Sequence, residues 1–546
     1  MLRKINLMLL SIAFLTLTSC EEEFLETAPT DAISETDAFA TAENMALILN
    51  GMHRFLYAQA QIIPGGTSYR SGNQYWVPLG DNIPGGVIHT ARANNLGWQD
   101  ETQWISHTQE TSTTSEQLWY QRYHIIASAN AIIEKATDGS LVEDARLKEI
   151  IGQAYAYRAW AYHSLVSHYA KGYLIGNPSS DPGVPLLFKS ETPFTSAPRS
   201  TVEEVYNQIQ DDIDTAITYF EDATQRPTGS AAGKSQLNID VAYGIKARVA
   251  LNKGDWRTAA DAAKMARADY PLMSESDYKS GFNSNLLPEV IWGSNVITTE
   301  TTFFRSYFYL IANTFNGSQN RNNPKIIDKR LYNQIPDTDY RKDLFLADAP
   351  NTNSSAANGE GGFENDPNYT DRELFEAKIQ EYTDKYGWTS RHNLHPYMHV
   401  KFLQQNPGSI DPDDIIYMRT SEMYLIEAEA EAMLGNIDAA QDALRPLGEM
   451  RDSAYDVSVY DTKEALIEHI KFQRSIELWG EGFLYTDKIR WDEGIDHAAD
   501  GGSGASAILY QDGFFQERPS INDDWIFKIP QAEIDANPNI GPADQN

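Results

Sequence analysis

Three histidines, His392, His395 and His399, crowd the stretch RHNLHPYMH, and imidazole is the commonest side-chain ligand for a transition metal. Pro396 interrupts any helix that would present all three on one face, no cysteine is near, and the neighbouring acids show no ligand spacing. The stretch therefore does not support a metal centre. Asp411-Pro412-Asp413-Asp414 lacks the glycine of a calcium loop and reads as a solvated turn before a helix. A glycosidase needs only two carboxylates at the right separation, and among 77 Asp and Glu residues such pairs arise by chance. No P-loop, dinucleotide fingerprint, metalloprotease His-Glu pair or nucleophile elbow is present. No cofactor is expected, and the residue types point to binding rather than to enzymatic catalysis.

The formal net charge of −33 argues against nucleic acid as a partner, because phosphate contact needs concentrated Lys and Arg. One residue has special chemistry, Cys20, the sole cysteine. Arg3 and Lys4 precede the apolar run Ile5–Leu17, which is too short for a stable bilayer span and reads as the core of a secretory signal. It ends in Leu17-Thr18-Ser19-Cys20, which resembles the lipobox of bacterial lipoproteins. Residues 1–19 are then a signal peptide and 20–36 a lipidated tether, leaving no thiol for a disulfide. Glu21-Glu22-Glu23 beside the cysteine resembles the surface-export signal of Bacteroidetes-type lipoproteins.

The elements that would position a binding surface are helical. Ile415–Arg451 carries apolar residues at helical spacing, broken by Gly435-Asn436. Val241–Ala266 has the same form and breaks at Gly254-Asp255. Counted from each turn glycine, alanine stands seven residues before (Ala247, Ala428) and five after (Ala259, Ala440), where two helices must approach closely. The spacing resembles the tetratricopeptide repeat. Thr201-Val202-Glu203-Glu204 reads as a capping box opening a helix that buries Val205, Ile209, Ile213 and Ile217. The expectation is a mostly α fold: tetratricopeptide-like hairpins forming a superhelical scaffold, with long loop-rich insertions carrying the ligand surface. Residues 37–546 would form a single body, with an N-terminal helical part (37–270), a loop-rich insertion (271–414) and a C-terminal helical part (415–546). Within it, Gln61–Gln109 and Pro288–Asn323 show no helical period and are rich in aromatic residues.

Motifs spread from residue 20 to residue 538 together resemble the SusD/RagB family of outer-membrane glycan-binding lipoproteins. They are the lipobox at Cys20, the helix RTSEMYLIEAEA (Arg419–Ala430), Arg474-Ser475-Ile476-Glu477-Leu478-Trp479-Gly480-Glu481-Gly482 with Asp487 and Arg490-Trp491, and Ile529–Pro538. Where the family often has an arginine two residues after Glu481-Gly482, this chain has Leu484. The charged set Arg474, Glu477, Glu481, Asp487 and Arg490 is expected to form an ion network at helix ends. The resemblance implies a non-enzymatic surface protein, held in the outer membrane by acyl chains on Cys20, that passes an oligosaccharide to a TonB-dependent transporter of the SusC type. Sugars present flat C–H faces and hydroxyl edges, so the nominated contacts are Tyr75, Trp76, Trp98 and Trp292 for stacking and Asp81, Arg92 and Asn95 for hydroxyls. The alternatives are a surface glycoside hydrolase and a tetratricopeptide protein-interaction scaffold.

Overall fold

The computed structural model describes residues 35–59, 70, 72–90, 98–137, 144–190, 196–227, 229–352, 361–366, 368–497 and 515–546. Cys20, the signal and most of the tether lie outside these residues, as do Arg92 and Asn95. The chain is mostly helical. Helices of two turns or more in the N-terminal half are α1 (Ala42–Phe55), α2 (Asn73–Asn82), α3 (Thr113–Thr137), α4 (Ala145–Tyr169), α5 (Val202–Glu221), α6 (Ile239–Lys253) and α7 (Trp256–Ala266). After them come α8 (Arg372–Tyr386), α9 (Thr420–Met433), α10 (Ile437–Arg451), α11 (Lys463–Glu477) and α12 (Leu484–Trp491). Among the described residues no helix is long and apolar enough to cross a membrane.

Both hairpins form as the spacing predicts. Gly254 (φ +77°) ends α6 and Gly435 (φ +84°) follows α9, each in the left-handed conformation that glycine adopts at least cost. Ala247, Ala259, Ala428 and Ala440 are all 0% exposed, at the seams where the paired helices meet. The two hairpins are far apart in sequence, yet α7 packs directly on α9, so α6, α7, α9 and α10 form one continuous stack. Upstream, α3, α4, α5 and α6 pack in order, and α11 closes the far side against α9. The Thr201 box is present: Glu204 N donates to Thr201 Oγ1 at 3.2 Å, and Thr201 N donates to Glu204 Oε2 at 2.8 Å.

Two expectations are corrected. Gln61–Gln109 is not free of regular structure, since it contains α2, the strand Val87–His89 and the short helix Gln99–Thr102. α2 is buried on nearly every side, so its sequence shows no single apolar stripe. A Cβ on Gly80 would stand 2.3 Å from Gly482 O, so this glycine permits the backbone of α2 to lie against the 480–482 turn. Likewise Asp414 is not a solvated turn residue. It is buried and accepts the amides of Asn285 (2.9 Å) and Val296 (3.0 Å).

Strands are short. Val87–His89, Lys325–Ile327, Met398–His399 and Phe345–Leu346 form an antiparallel sheet in that order, and Val290–Ser294 pairs antiparallel with Ile415–Arg419. The second pair leads straight into α9 and delivers Arg419 to a buried ion cluster. Arg419 bonds Glu289 (2.9 Å), Glu477 (2.6 Å) and Glu481 (2.7 Å). Arg341 bonds Asp339 (2.6 Å) and Glu477 (2.8 Å), Lys401 bonds Glu481 (2.6 Å), and Arg451 reaches both Glu289 and Glu477. Four cations thus face four carboxylates, with side-chain exposures no higher than 7%. Burial opposes ionisation of Glu477, but Arg451, Arg419 and Arg341 outweigh it and hold the carboxyl well below its usual range. Glu481 is lowered in the same way, with Arg419 and Lys401 overcoming its burial. The expected network therefore divides: Glu477 and Glu481 join this cluster, whereas Arg474 and Arg490 share Asp487, and Arg490 also pairs with Glu429.

Two stability tests follow from this packing. Gly435→Val meets no steric neighbour, so its cost comes from the positive φ alone and should be about 1–2 kcal/mol, whereas Ala440→Trp should cost about 1–3 kcal/mol by overpacking, both read from denaturant midpoints. Glu477→Gln leaves buried guanidinium charge uncompensated and should cost about 3–5 kcal/mol at pH 7. Because the folded state depresses the pKa of Glu477 and Glu481, their contribution is complete above the unfolded value near 4.5 and is lost as pH falls below it. Denaturant midpoints of wild type should therefore drop below pH 4.5 more steeply than those of Glu477→Gln.

Candidate functional site

The nominated aromatic residues lie inside the protein. Tyr75 (2% exposed) donates its hydroxyl to Glu101 Oε1 at 2.6 Å and packs its ring against Trp76 and Trp98. Trp76 and Trp98 are 8% and 3% exposed, and each keeps a buried indole N–H with no acceptor among the described residues. Trp292 is fully buried in the strand pair, edge-on to Trp160 and Tyr417, with its N–H directed at Ser235 O. None of the four presents an open ring face to solvent. For Tyr75, Trp76 and Trp292 the burial follows from the elements that carry them: α2 is covered on almost every side, and Val290–Ser294 is buried along its whole length. Asp81, at the end of α2, accepts the Gly482 amide, and burial pushes its pKa up to about 7.

The exposed rings are elsewhere in the same segment. Phe303 (44% exposed) and Phe304 (36%) share a loop with the exposed Ile297. This loop is pinned to the chain just after α1. Gln59 Nε2 donates to Phe304 O at 2.7 Å, and Thr302 Oγ1 donates to Gln59 Oε1 at 2.6 Å. Tyr57 donates to Glu300, which also pairs with Arg54 at 3.2 Å. Arg305, at φ +59°, sets its guanidinium 5.6 Å from the centre of the Phe304 ring. The result is a solvent-facing aromatic pair edged by an arginine, a carboxylate and an amide, on backbone that is tied down. Composition placed aromatic residues here but did not separate the exposed Phe303 and Phe304 from the buried Trp292. The signal that could have done so is β-strand character around Trp292, where Val290 and Ile291 precede it.

A separate feature is a cleft of about 330 Å³ between the end of α2, α11 and the start of α12. Asp81, Arg474, Phe483, Leu484 and Lys488 are among its walls. Leu484 lines this cleft and takes no part in the ion cluster.

The three histidines do not converge. His392 Nε2 donates to Phe315 O (3.1 Å), His395 Nδ1 to Pro396 O (2.8 Å) and His399 Nε2 to Ile311 O (2.9 Å). Burial lowers all three pKa values, to about 4 for His395 and about 3 for His399. Among the described residues no group of three or more His, Cys, Asp or Glu is placed to hold a metal ion.

Comparison with known proteins agrees with the fold. A family model described as "starch-binding associating with outer membrane" matches residues 78–251. SusD-like protein P38 of Formosa agariphila is 23% identical, the alignment covering 89% of this chain and 91% of that protein. A SusD-like carbohydrate binding protein from Bacteroides vulgatus superposes with a TM-score of 0.69 at 23% identity, over 92% of this chain and 97% of the other. Surface glycan-binding protein A from Bacteroides fluxus gives a TM-score of 0.61 at 17% identity, over 91% and 96%. The model of the SusD family itself matches residues 260–546, more than half of the sequence, and the chain belongs to the SusD/RagB family.

Proposed function

We propose that the protein is a non-enzymatic glycan-binding lipoprotein of the outer membrane, facing outward, that captures an oligosaccharide and passes it to a SusC-like TonB-dependent transporter. The observation that carries the reading is the exposed Phe303–Phe304 pair, in a chain whose relatives include proteins described as carbohydrate- and glycan-binding. An aromatic face covers the C–H face of a pyranose, and Glu300, Arg54 and Gln59 stand beside it with donors and acceptors for hydroxyls. Binding of this kind requires no activated nucleophile or acid–base pair. Transfer to a transporter and acylation of Cys20 rest on family membership and on the Leu17–Cys20 motif.

A glycan array on the purified protein identifies the ligand, and calorimetry then tests the surface. Phe303→Ala or Phe304→Ala should weaken binding by about 2 kcal/mol with an unchanged melting temperature. Trp98→Ala acts on the core instead and should cost about 3–5 kcal/mol of stability. Wild-type affinity in the Phe303→Ala, Phe304→Ala double variant would rule this loop out, and release of shortened product from the bound glycan would favour the hydrolase alternative. For the anchor, Cys20→Ala should move the protein out of the membrane fraction, and retention after a high-salt wash would refute lipidation.

A further inference from the structure

The cleft beside α12 contains a guanidinium whose hydrogen-bonding capacity is only partly used. Arg474 is 3% exposed, and its Nε donates to Asp487 Oδ2 at 2.6 Å. Its Nη1 is equally buried and has no acceptor among the described residues. A buried charged donor left without a partner is costly, so an acceptor from outside the chain is expected there. A second observation points the same way. The residue preceding α12 is Phe483, which supplies no side-chain cap, and Phe483 and Leu484 both line the cleft. The positive end of the helix and Arg474 therefore line the same cleft. Lys488, one turn further along α12, also stands at the wall, with its ammonium paired to Glu493 at 3.2 Å.

Four acids also line the cleft, but most of their capacity is taken. Asp487 accepts from Arg474 and Arg490, Asp328 from Arg330, and Asp81 from the Gly482 amide, while Asp496 is solvent-exposed. The remaining walls mix apolar side chains, Leu331, Leu478 and Leu484 among them, with the polar Arg330, Gln334, Ser475 and His497. A space of about 330 Å³ holds a single sugar ring.

We infer that this cleft is a second binding site, for a monosaccharide-sized group carrying an oxyanion, either a carboxylate or a sulfate ester. The oxyanion would lie on Arg474 at the mouth of α12, the ring against Leu478 and Leu484, and a ring hydroxyl against Asp81. That the ligand is a sugar rests on the glycan-binding reading; that it is anionic rests on Arg474 and α12 alone.

The test is calorimetric titration of the full-length protein, kept in detergent, with glucuronate, glucose 6-sulfate, glucose and sodium sulfate. One of the two acidic sugars should bind about tenfold or more tightly than glucose, as a charge-assisted hydrogen bond implies. Which of them it is tells carboxylate from sulfate ester. Arg474→Gln should abolish the preference. Because Arg474 also holds Asp487, Ser475→Trp provides an independent variant: it fills the cleft from a half-buried wall position and should abolish binding with the melting temperature retained. Equal binding of glucose and both acids, unchanged binding in Ser475→Trp, or sodium sulfate binding as tightly as the sugars would each overturn the assignment. A polysaccharide bound through Phe303 and Phe304 with no acidic monosaccharide bound refutes this inference alone. An array with no glycan bound refutes the earlier reading.

Discussion

The pairing of Glu477 with three arginines is the constraint on which the rest of the architecture depends. Arg341 comes from the short helix after residue 339, Arg419 from the end of a strand and Arg451 from the end of α10. Glu289 joins two of these arginines from before the strand Val290–Ser294, and Lys401 reaches Glu481 from the loop after Met398–His399. Segments scattered over almost 200 positions of sequence therefore have to meet at one point. A buried ion cluster of this kind contributes little net free energy over an apolar core, because desolvation offsets attraction. Its effect is on uniqueness: any misplaced segment would leave a buried charge alone.

What the cluster fixes locally then propagates outward. Glu481, held by Arg419 and Lys401, positions the turn that follows α11. In that turn Gly482 lies against Gly80 and gives its amide to Asp81, while Trp479 donates its indole N–H to Gly86 O at 2.7 Å. α2 and the strand after it are thus seated on the C-terminal helices. Tyr75, Trp76 and Trp98 form the filling beneath, and the aromatic loop at Phe303 is tied to the neighbouring end of α1. The loop proposed for the ligand rests on packed structure.

Local features of the sequence were readable because their physics is local. A turn glycine with alanines at fixed offsets on both sides specifies a tight hairpin, and Thr201 with Glu204 specifies a helix start. α2 leaves no helical signal in the sequence, because a helix covered on nearly every side has no periodicity, and its Pro78 and Gly80 speak against a helix. Tyr75, Trp76, Trp98 and Trp292, nominated as stacking contacts, lie in the core, because a large aromatic in an irregular stretch serves equally as a stacking face or as core, and only tertiary packing decides. The charged set was recognised on α11 and α12, yet its partners Glu289, Arg341 and Lys401 carry no mark in the sequence. They are brought in by chain crossings, and so the network came out as two clusters.

The direct packing of α7 on α9 has a further consequence, in the order of events during folding. The first hairpin is complete at residue 266, but its partner begins at 420, so a loop of the intervening residues must close before either apolar seam is covered. Loop closure costs entropy that grows only slowly with length, but contacts at such separation slow the search for the native state. A chain emerging N-terminus first carries an open hydrophobic edge on α7 until the C-terminal third has been made. That half-finished intermediate is the species most exposed to aggregation, and the one a chaperone would have to shield.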